Sequence, residues 1–257
     1  MTDVRIEQLV KNDFVTRCFR DNADHDYIAA RVLYRQDLAP QFLWAGLQAV
    51  EKYIKAILLY SDVSAQGLGH NLTRAAERIR QKTDSAVPWS EELDQFLEYL
   101  AIQGANRYFT YPAYALGREL LRLDWAVWVL RRHCLPSGVK VQYPVPRVLF
   151  RKWESGAVTD VWPLVPKDRY QIPGGRLETI LDRGPATMRA GLVWHNFYFG
   201  RRRRKQIRGF RVKAWSANPT HYLHPEIFDW IETKVDLPEG VRLAFRSPGR
   251  TKSGRPQ

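Results

Sequence analysis

The chain has 257 residues, 45% of them hydrophobic and 26% charged, a balance that excludes wholesale disorder and supplies enough apolar side chain for one large domain or two ordinary ones. Its formal net charge of +13 points toward a polyanionic partner. Cys18 and Cys134 are too few for a disulfide framework or a four-thiolate metal site, and no apolar run has the length of a membrane span or the form of a signal peptide, so a soluble protein of the reducing cytoplasm is expected.

In chain order, the segment DHDYIAARVLYRQDL from Asp24 has acidic residues at its start and Arg31 and Arg35 further on, the order a helix dipole favours. In APQFLWAGLQAVEKYIKAILLY, residues Leu43, Leu47, Val50, Ile54 and Ile57 alternate spacings of four and three, which predicts an amphipathic helix with Pro40 in its first turn. Glu51 and Lys55 add a stabilising i,i+4 pair. Shorter helices are predicted over 71–81 and 90–102, the second opened by Ser90 with Glu91, Glu92 and Asp94 behind it. Between residues 113 and 132, Leu116, Leu120, Leu123, Val127 and Leu130 form another stripe, widened by Trp125 and Trp128. Burying these stripes together predicts an all-α antiparallel bundle of four or five helices over residues 1–134.

Asp26, Tyr27 and Ala30-Arg31, then Glu51-Lys52 with Lys55-Ala56, then Gly69-His70-Asn71-Leu72, then Arg107-Tyr108 shortly before Tyr111-Pro112, give residues 20 to 132 a pattern that resembles HEPN domains. The resemblance implies a helical bundle that commonly dimerises and that occurs in ribonucleases, in toxins paired with nucleotidyltransferase-type antitoxins, and in defence systems. A homodimer and a protein partner from a defence or antitoxin complex are expected on that ground. Active nucleases of the family carry an Arg followed, after four to six residues, by His late in the bundle. This chain departs from that pattern, because Arg107 is followed by Tyr-Phe-Thr-Tyr-Pro-Ala-Tyr with no histidine in reach. Arg20 to His25 and Arg189 to His195 have the spacing, but chance alone gives about two such pairs in a chain this rich in arginine. The first precedes the core helices and the second lies outside the bundle.

No catalytic residue is firm, and the candidates are Arg107, Tyr108, Tyr111 and His70. His70 has the chemistry of an acid or base near neutral pH, or else orders a loop beside Gly67 and Gly69. Arg107 with Tyr108 and Tyr111 suits a phosphate and a stacked base, or else packs a helix junction before Pro112. Glu51, Lys52 and Lys55 line either a phosphate groove or a solvated helix face.

Charge divides the chain. Residues 1–134 hold 17 basic and 17 acidic side chains, while residues 135–257 hold 23 and 10, so the whole excess lies in the second part. Proline also concentrates there, and the boundary is expected in CLPSGVKVQYPVP. The stretches VPRVLFRKW, AVTDVWPLV, LVWHNFYFG, RGFRVKAW and VRLAFRS read as strands, and residues 176–181 and 225–234 as short helices, which predicts a small basic α+β domain with an antiparallel sheet over 135–246 and a disordered basic tail over 247–257.

Arg201, Arg202, Arg203, Arg204, Lys205, Arg208, Arg211 and Lys213 are the expected nucleic-acid contacts, at the tip of a hairpin opened by Gly200. His221, His224 and Glu226 have a spacing that zinc accepts, but helix capping explains them, and no metal or cofactor is expected. The fold class is thus α+β, and the expected function is nucleic-acid binding, to RNA or single-stranded DNA, without a membrane. Two alternatives stand beside it: a metal-independent ribonuclease with an atypical site, and a nucleotide-sensing adaptor whose Tyr108 or Tyr111 is modified by a nucleotidyltransferase partner.

Overall fold

The computed structural model describes residues 3–136, 172, 175–200 and 214–246. Among these the chain is mostly helical with a two-stranded antiparallel sheet, an α+β arrangement built around a helical bundle.

The first helical stretch is continuous through α1 (Asp3–Val15), a π-helical turn (Thr16–Arg20) and α2 (Asp21–Arg35). At the π turn Thr16 Oγ1 donates to the Asn12 carbonyl at 2.7 Å and lies 2.6 Å from Tyr60 Oη, tying the widened turn to α3 (Ala39–Tyr60). Asp37, in the left-handed region at φ 60°, closes a three-residue link, so α3 returns antiparallel to α2. The stripe Leu43, Leu47, Val50, Ile54 and Ile57 is buried as its spacing predicts.

Helix α4 (Leu72–Lys82) starts where Asn71 accepts the Arg74 N–H at 2.8 Å, and α5 (Glu91–Ala105) where Ser90 accepts the Leu93 N–H at 3.3 Å. Helix α5 approaches α3 closely: a Cβ on Gly104 would stand 2.8 Å from both the Leu43 carbonyl oxygen and Leu47 Cβ. Helix α6 (Glu119–Arg131) is buried on every side except at Arg122, the position of a central helix. Its predicted start at residue 113 is corrected. Residues Ala113–Ala115 form strand β1, and α6 begins at Glu119, whose carboxylate accepts the backbone N–H groups of Leu116 and Gly117, each at 2.7 Å.

After residue 172 the chain packs back onto the bundle through α7 (Arg176–Arg183) and α8 (Ala186–Val193). Ile172, Leu177, Ile180, Leu192 and Phe199 belong to the same apolar cluster as the helices before residue 134. Among the described residues the main apolar cluster thus continues past residue 134 into α7 and α8. Gly191 lets α8 lie against α2, where a Cβ would come within 2.7 Å of Val32 Cγ2.

Strand β2 (Trp215–Ala217) pairs antiparallel with β1, Ala113 opposite Ala217 and Ala115 opposite Trp215. Beyond it come α9 (Thr220–Leu223), a 3-10 turn (Pro225–Ile227), α10 (Phe228–Glu232) and α11 (Glu239–Arg246), gathered around Phe228, Leu237 and Val241. Two predicted strands are corrected. LVWHNFYFG is the end of α8 followed by a non-repetitive turn, which Asn196 organises by accepting the N–H groups of Tyr198 (2.9 Å) and Phe199 (3.0 Å). VRLAFRS, as far as its described residues reach, belongs to helix α11, in which Val241 and Phe245, four apart, face Phe228. VPRVLFRKW, AVTDVWPLV and the tail lie outside the described residues. Among the described residues no helix is long and apolar enough to cross a membrane.

Candidate functional site: the loop between α5 and β1

Two sets of polar side chains need separating, one in the interior and one at the surface. In the first, Asp24 on α2 accepts Arg131 Nε at 2.7 Å, Arg131 Nη2 at 2.8 Å, Tyr53 Oη at 2.5 Å and the Leu177 N–H at 3.3 Å. Arg131 also grips Glu178 of α7 at 2.7 and 2.8 Å. Burial raises the Glu178 carboxyl, but the charge and hydrogen bonds of Arg131 outweigh it and hold the group below its ordinary range.

Beside it, Asp124 Oδ1 takes Arg31 and, at 2.6 Å, the Tyr27 hydroxyl, while Arg31 also donates to the carbonyls of Gly191 (3.1 Å) and Trp194. Asp124 Oδ2 has no hydrogen-bond partner, and burial pushes that carboxyl above its ordinary range despite Arg31. Asp24, Arg31, Asp124, Arg131, Tyr27 and Tyr53 are buried, and Glu178 keeps only a small exposure at the edge of the set. They clamp α7 and α8 to the bundle.

The surface set is built on the loop 106–112. Asn106 is buried and fixes the loop from inside: its Oδ1 accepts the Thr110 N–H at 2.9 Å and its Nδ2 donates to the Tyr111 carbonyl at 2.7 Å. Tyr111 is partly buried against the Phe228 cluster, its hydroxyl donating to the Ile102 carbonyl. Phe109 sits in the left-handed region at φ 54°, a strain of about 1–3 kcal/mol for a bulky side chain. The C-terminal segment holds it there, with Trp215 of β2 packed 6.4 Å from the Phe109 ring and His221 Nε2 2.9 Å from the Thr110 carbonyl oxygen.

On the outer side of this loop, Tyr108 is 80% exposed. The Arg107 guanidinium lies 4.3 Å from the Trp44 ring and 5.7 Å from the Tyr108 ring. Trp44 also touches His70, ring centroids 5.7 Å apart. His70 Nδ1 is 2.6 Å from Glu51 Oε2, and Glu51 Oε1 accepts Lys55 Nζ at 2.6 Å. Three of the four candidates thus share one surface: Arg107 and His70 meet the same indole and Tyr108 stands beside Arg107, whereas Tyr111 is committed to the fold. Lys52 departs from Lys55 and pairs with Asp26 of α2.

Sequence reading missed Trp44, which joins the sites of His70 and Arg107. Its signal was available, since Trp44, Glu51 and Lys55 at i, i+7 and i+11 lie on one helix face beside the apolar stripe.

The other candidates fall elsewhere. Arg20 is buried beside Asp21, and His25 Nε2 accepts a hydrogen bond from Arg176 Nε at 2.9 Å, so that pair serves the packing of α7 on α2. Arg189 is on α8, and His195 follows it in a left-handed turn against Trp194. His221 is used at Thr110, while His224 meets Glu226 at 3.2 Å. Among the described residues no three His, Cys, Asp or Glu side chains converge as a metal site. Arg201, Arg202, Arg203, Arg204, Lys205, Arg208, Arg211 and Lys213 lie outside the described residues.

The described residues thus form an antiparallel helical bundle that carries an aromatic and cationic surface loop. Residues 16–118 match the family model of the HEPN domain, from the π turn to the residue before α6, and the C-terminal part matches no family model. The core helix α6 and the clamp residue Arg131 thus lie beyond the matched region. No curated protein and no solved structure matches the chain.

Proposed function

We propose that the protein binds nucleic acid, RNA or single-stranded DNA, through the basic side chains of its C-terminal half, the bundle serving dimerisation or partner docking in a defence or toxin–antitoxin system. The observation that carries this reading is the charge division, 17 basic and 17 acidic residues up to 134 against 23 and 10 after it. Eight of the thirteen residues 201–213 are Lys or Arg, a density at which counterion release dominates affinity. Phe199, packed edge-on to Tyr27 at 5.7 Å, and β2, paired to β1, attach the neighbours of that stretch to the bundle on both sides.

Retardation of labelled single-stranded RNA, duplex RNA and DNA by the full chain across a salt series tests it. The expected result is a log affinity that falls linearly with log salt, and a shallower slope once residues 201–204 are serine. Absence of retardation at low ionic strength would refute the reading.

The second reading is a metal-independent ribonuclease, favoured by the His70–Glu51 contact with Arg107 on the same indole. With Nδ1–H donated to Glu51, His70 Nε2 is left to take the proton of a ribose 2′-hydroxyl. The freed oxygen attacks the adjacent phosphorus, the bond to the 5′ oxygen breaks, and water protonates that leaving oxygen, with Arg107 beside the phosphate. Cleavage that survives a chelator and disappears in both His70→Ala and Arg107→Ala is the expected outcome. Cleavage unchanged in these variants would remove the site.

A further inference from the structure

We infer that the outer face of the loop 106–112 is a contact point for one unpaired nucleotide, with Tyr108 stacking on the base and Arg107 meeting its phosphate, so that the protein prefers single strands to duplexes. This rests on the nucleic-acid reading above and adds to it a site on the bundle and a substrate class.

The first support is the contrast within the loop. Asn106 is buried, Phe109 and Tyr111 are partly buried, all three are fixed by hydrogen bonds or ring packing, and His221 and Trp215 brace the same backbone from the C-terminal segment. Tyr108 alone of the loop's rings stands in solvent. A backbone held this firmly presents the ring at little entropic cost on binding, which is what a stacking platform requires.

The second support is Arg107. It is exposed, and among the described residues it makes no ion pair, its guanidinium being held between the faces of Trp44 and Tyr108. Aromatic packing orients the cation without neutralising it, leaving its N–H groups for an incoming phosphate. An aromatic ring and an oriented arginine on consecutive residues match the repeat of base and phosphate in a strand whose bases are unstacked. In a duplex the base faces are hidden in the stack, so Tyr108 has nothing to cover and only the charge term remains.

Fluorescence anisotropy with the full chain, using an end-labelled single-stranded RNA and its duplex, tests the inference. Tyr108→Ala is expected to weaken single-strand binding about 5- to 150-fold, the loss of one stacked base, and to leave the duplex unchanged. Tyr108→Phe, which keeps the ring, is expected to bind like the parent. Arg107→Ala is expected to reduce the salt slope on single strands by about 0.7, one phosphate contact, whereas Tyr108→Ala leaves the slope as it was. Thermal melts of the variants are expected to coincide with the parent, because both side chains are exposed. Single-strand affinity unaffected by Tyr108→Ala, or an equal loss on the duplex, overturns the inference while leaving the basic-segment reading standing. A parent chain that binds neither form overturns both.

Discussion

Arg131 is the residue whose surroundings explain most of the packing beyond the family match. It has no exposure, and its guanidinium is shared between Asp24 of α2 and Glu178 of α7, with Tyr53 of α3 completing the shell around Asp24. Breaking a buried pair strands the remaining charge, so Asp24→Ala is expected to cost about 3–5 kcal/mol of stability. Tyr53→Phe removes one of several donors to Asp24 and is expected to cost about 1 kcal/mol. Denaturant titration of both variants distinguishes them, and equal losses would show that the hydroxyl matters as much as the charge.

Acid sensitivity follows from two groups. Burial, helped by the neighbouring Arg132, lowers the His133 pKa to about 4, so this ring is neutral in the fold but takes up a proton in the unfolded chain below about pH 6.5. Its contribution is whole above pH 6.5 and is lost as pH falls toward 4. Glu178, whose carboxyl is depressed in the fold, contributes stability above its ordinary pKa near 4.3 that is lost as pH falls further. Stability measured against pH should therefore decline in two stages, and His133→Gln should remove the upper one alone. A decline between pH 6.5 and 4 that persists in this variant would assign it to other groups.

At the scale of elements, close helix approach sets the tolerances. Gly104→Ala would drive a methyl into the Leu43 carbonyl and Leu47, and α5 cannot withdraw without opening its buried face of Leu93, Phe96, Leu97 and Leu100. A loss of about 1–3 kcal/mol is expected, read as a lower Tm. A Tm at or above the parent's would mean that α5 shifts freely.

The same scale shows what the sequence made legible. Helices α3, α4 and α5 were readable because their stripes and caps, Asn71 and Ser90, are local signals. Strand β1 was not, since its partner lies about 100 residues away and nothing within Ala113–Ala115 announces it. LVWHNFYFG and VRLAFRS misled because aromatic and β-branched content imitates a strand. The spacing of four between Leu237, Val241 and Phe245 was the better guide to α11. At the site, Arg107, Tyr108 and His70 were legible as chemistry, but their meeting at Trp44 depends on how the α3–α4 and α5–β1 loops fold over α3, which local sequence does not encode.

At the scale of the whole molecule, the helical core is discontinuous in sequence. Helices α7 and α8 supply Glu178 to Arg131 and the Gly191 and Trp194 carbonyls to Arg31, so a chain ending at residue 134 would leave both arginines short of partners. Residues 1–134 expressed alone are expected to unfold without a cooperative transition, whereas the full chain unfolds cooperatively. Cys134 is a convenient reporter, because it is buried against the Tyr53 carbonyl and burial pushes its thiol well above the ordinary range, while Cys18 is exposed. Rapid alkylation of one thiol in the full chain and of two in the truncated chain is the expected pattern. One reactive thiol in both would show that the N-terminal half folds unaided.

Protein synthesis gives that discontinuity a time. Glu178 lies 47 residues after Arg131, which at about 5–20 residues per second leaves the arginine waiting roughly 2–10 seconds on the ribosome for its second carboxylate. The basic residues 201–213 are translated directly after the segment that closes the core, so the bundle completes at about the moment its polycationic stretch leaves the exit tunnel. Nascent chains stalled with residue 150 exposed should be cut readily by protease within the bundle, and those stalled with residue 200 exposed should resist. Equal resistance at both lengths would mean that the helices before residue 134 hold together before their last wall arrives.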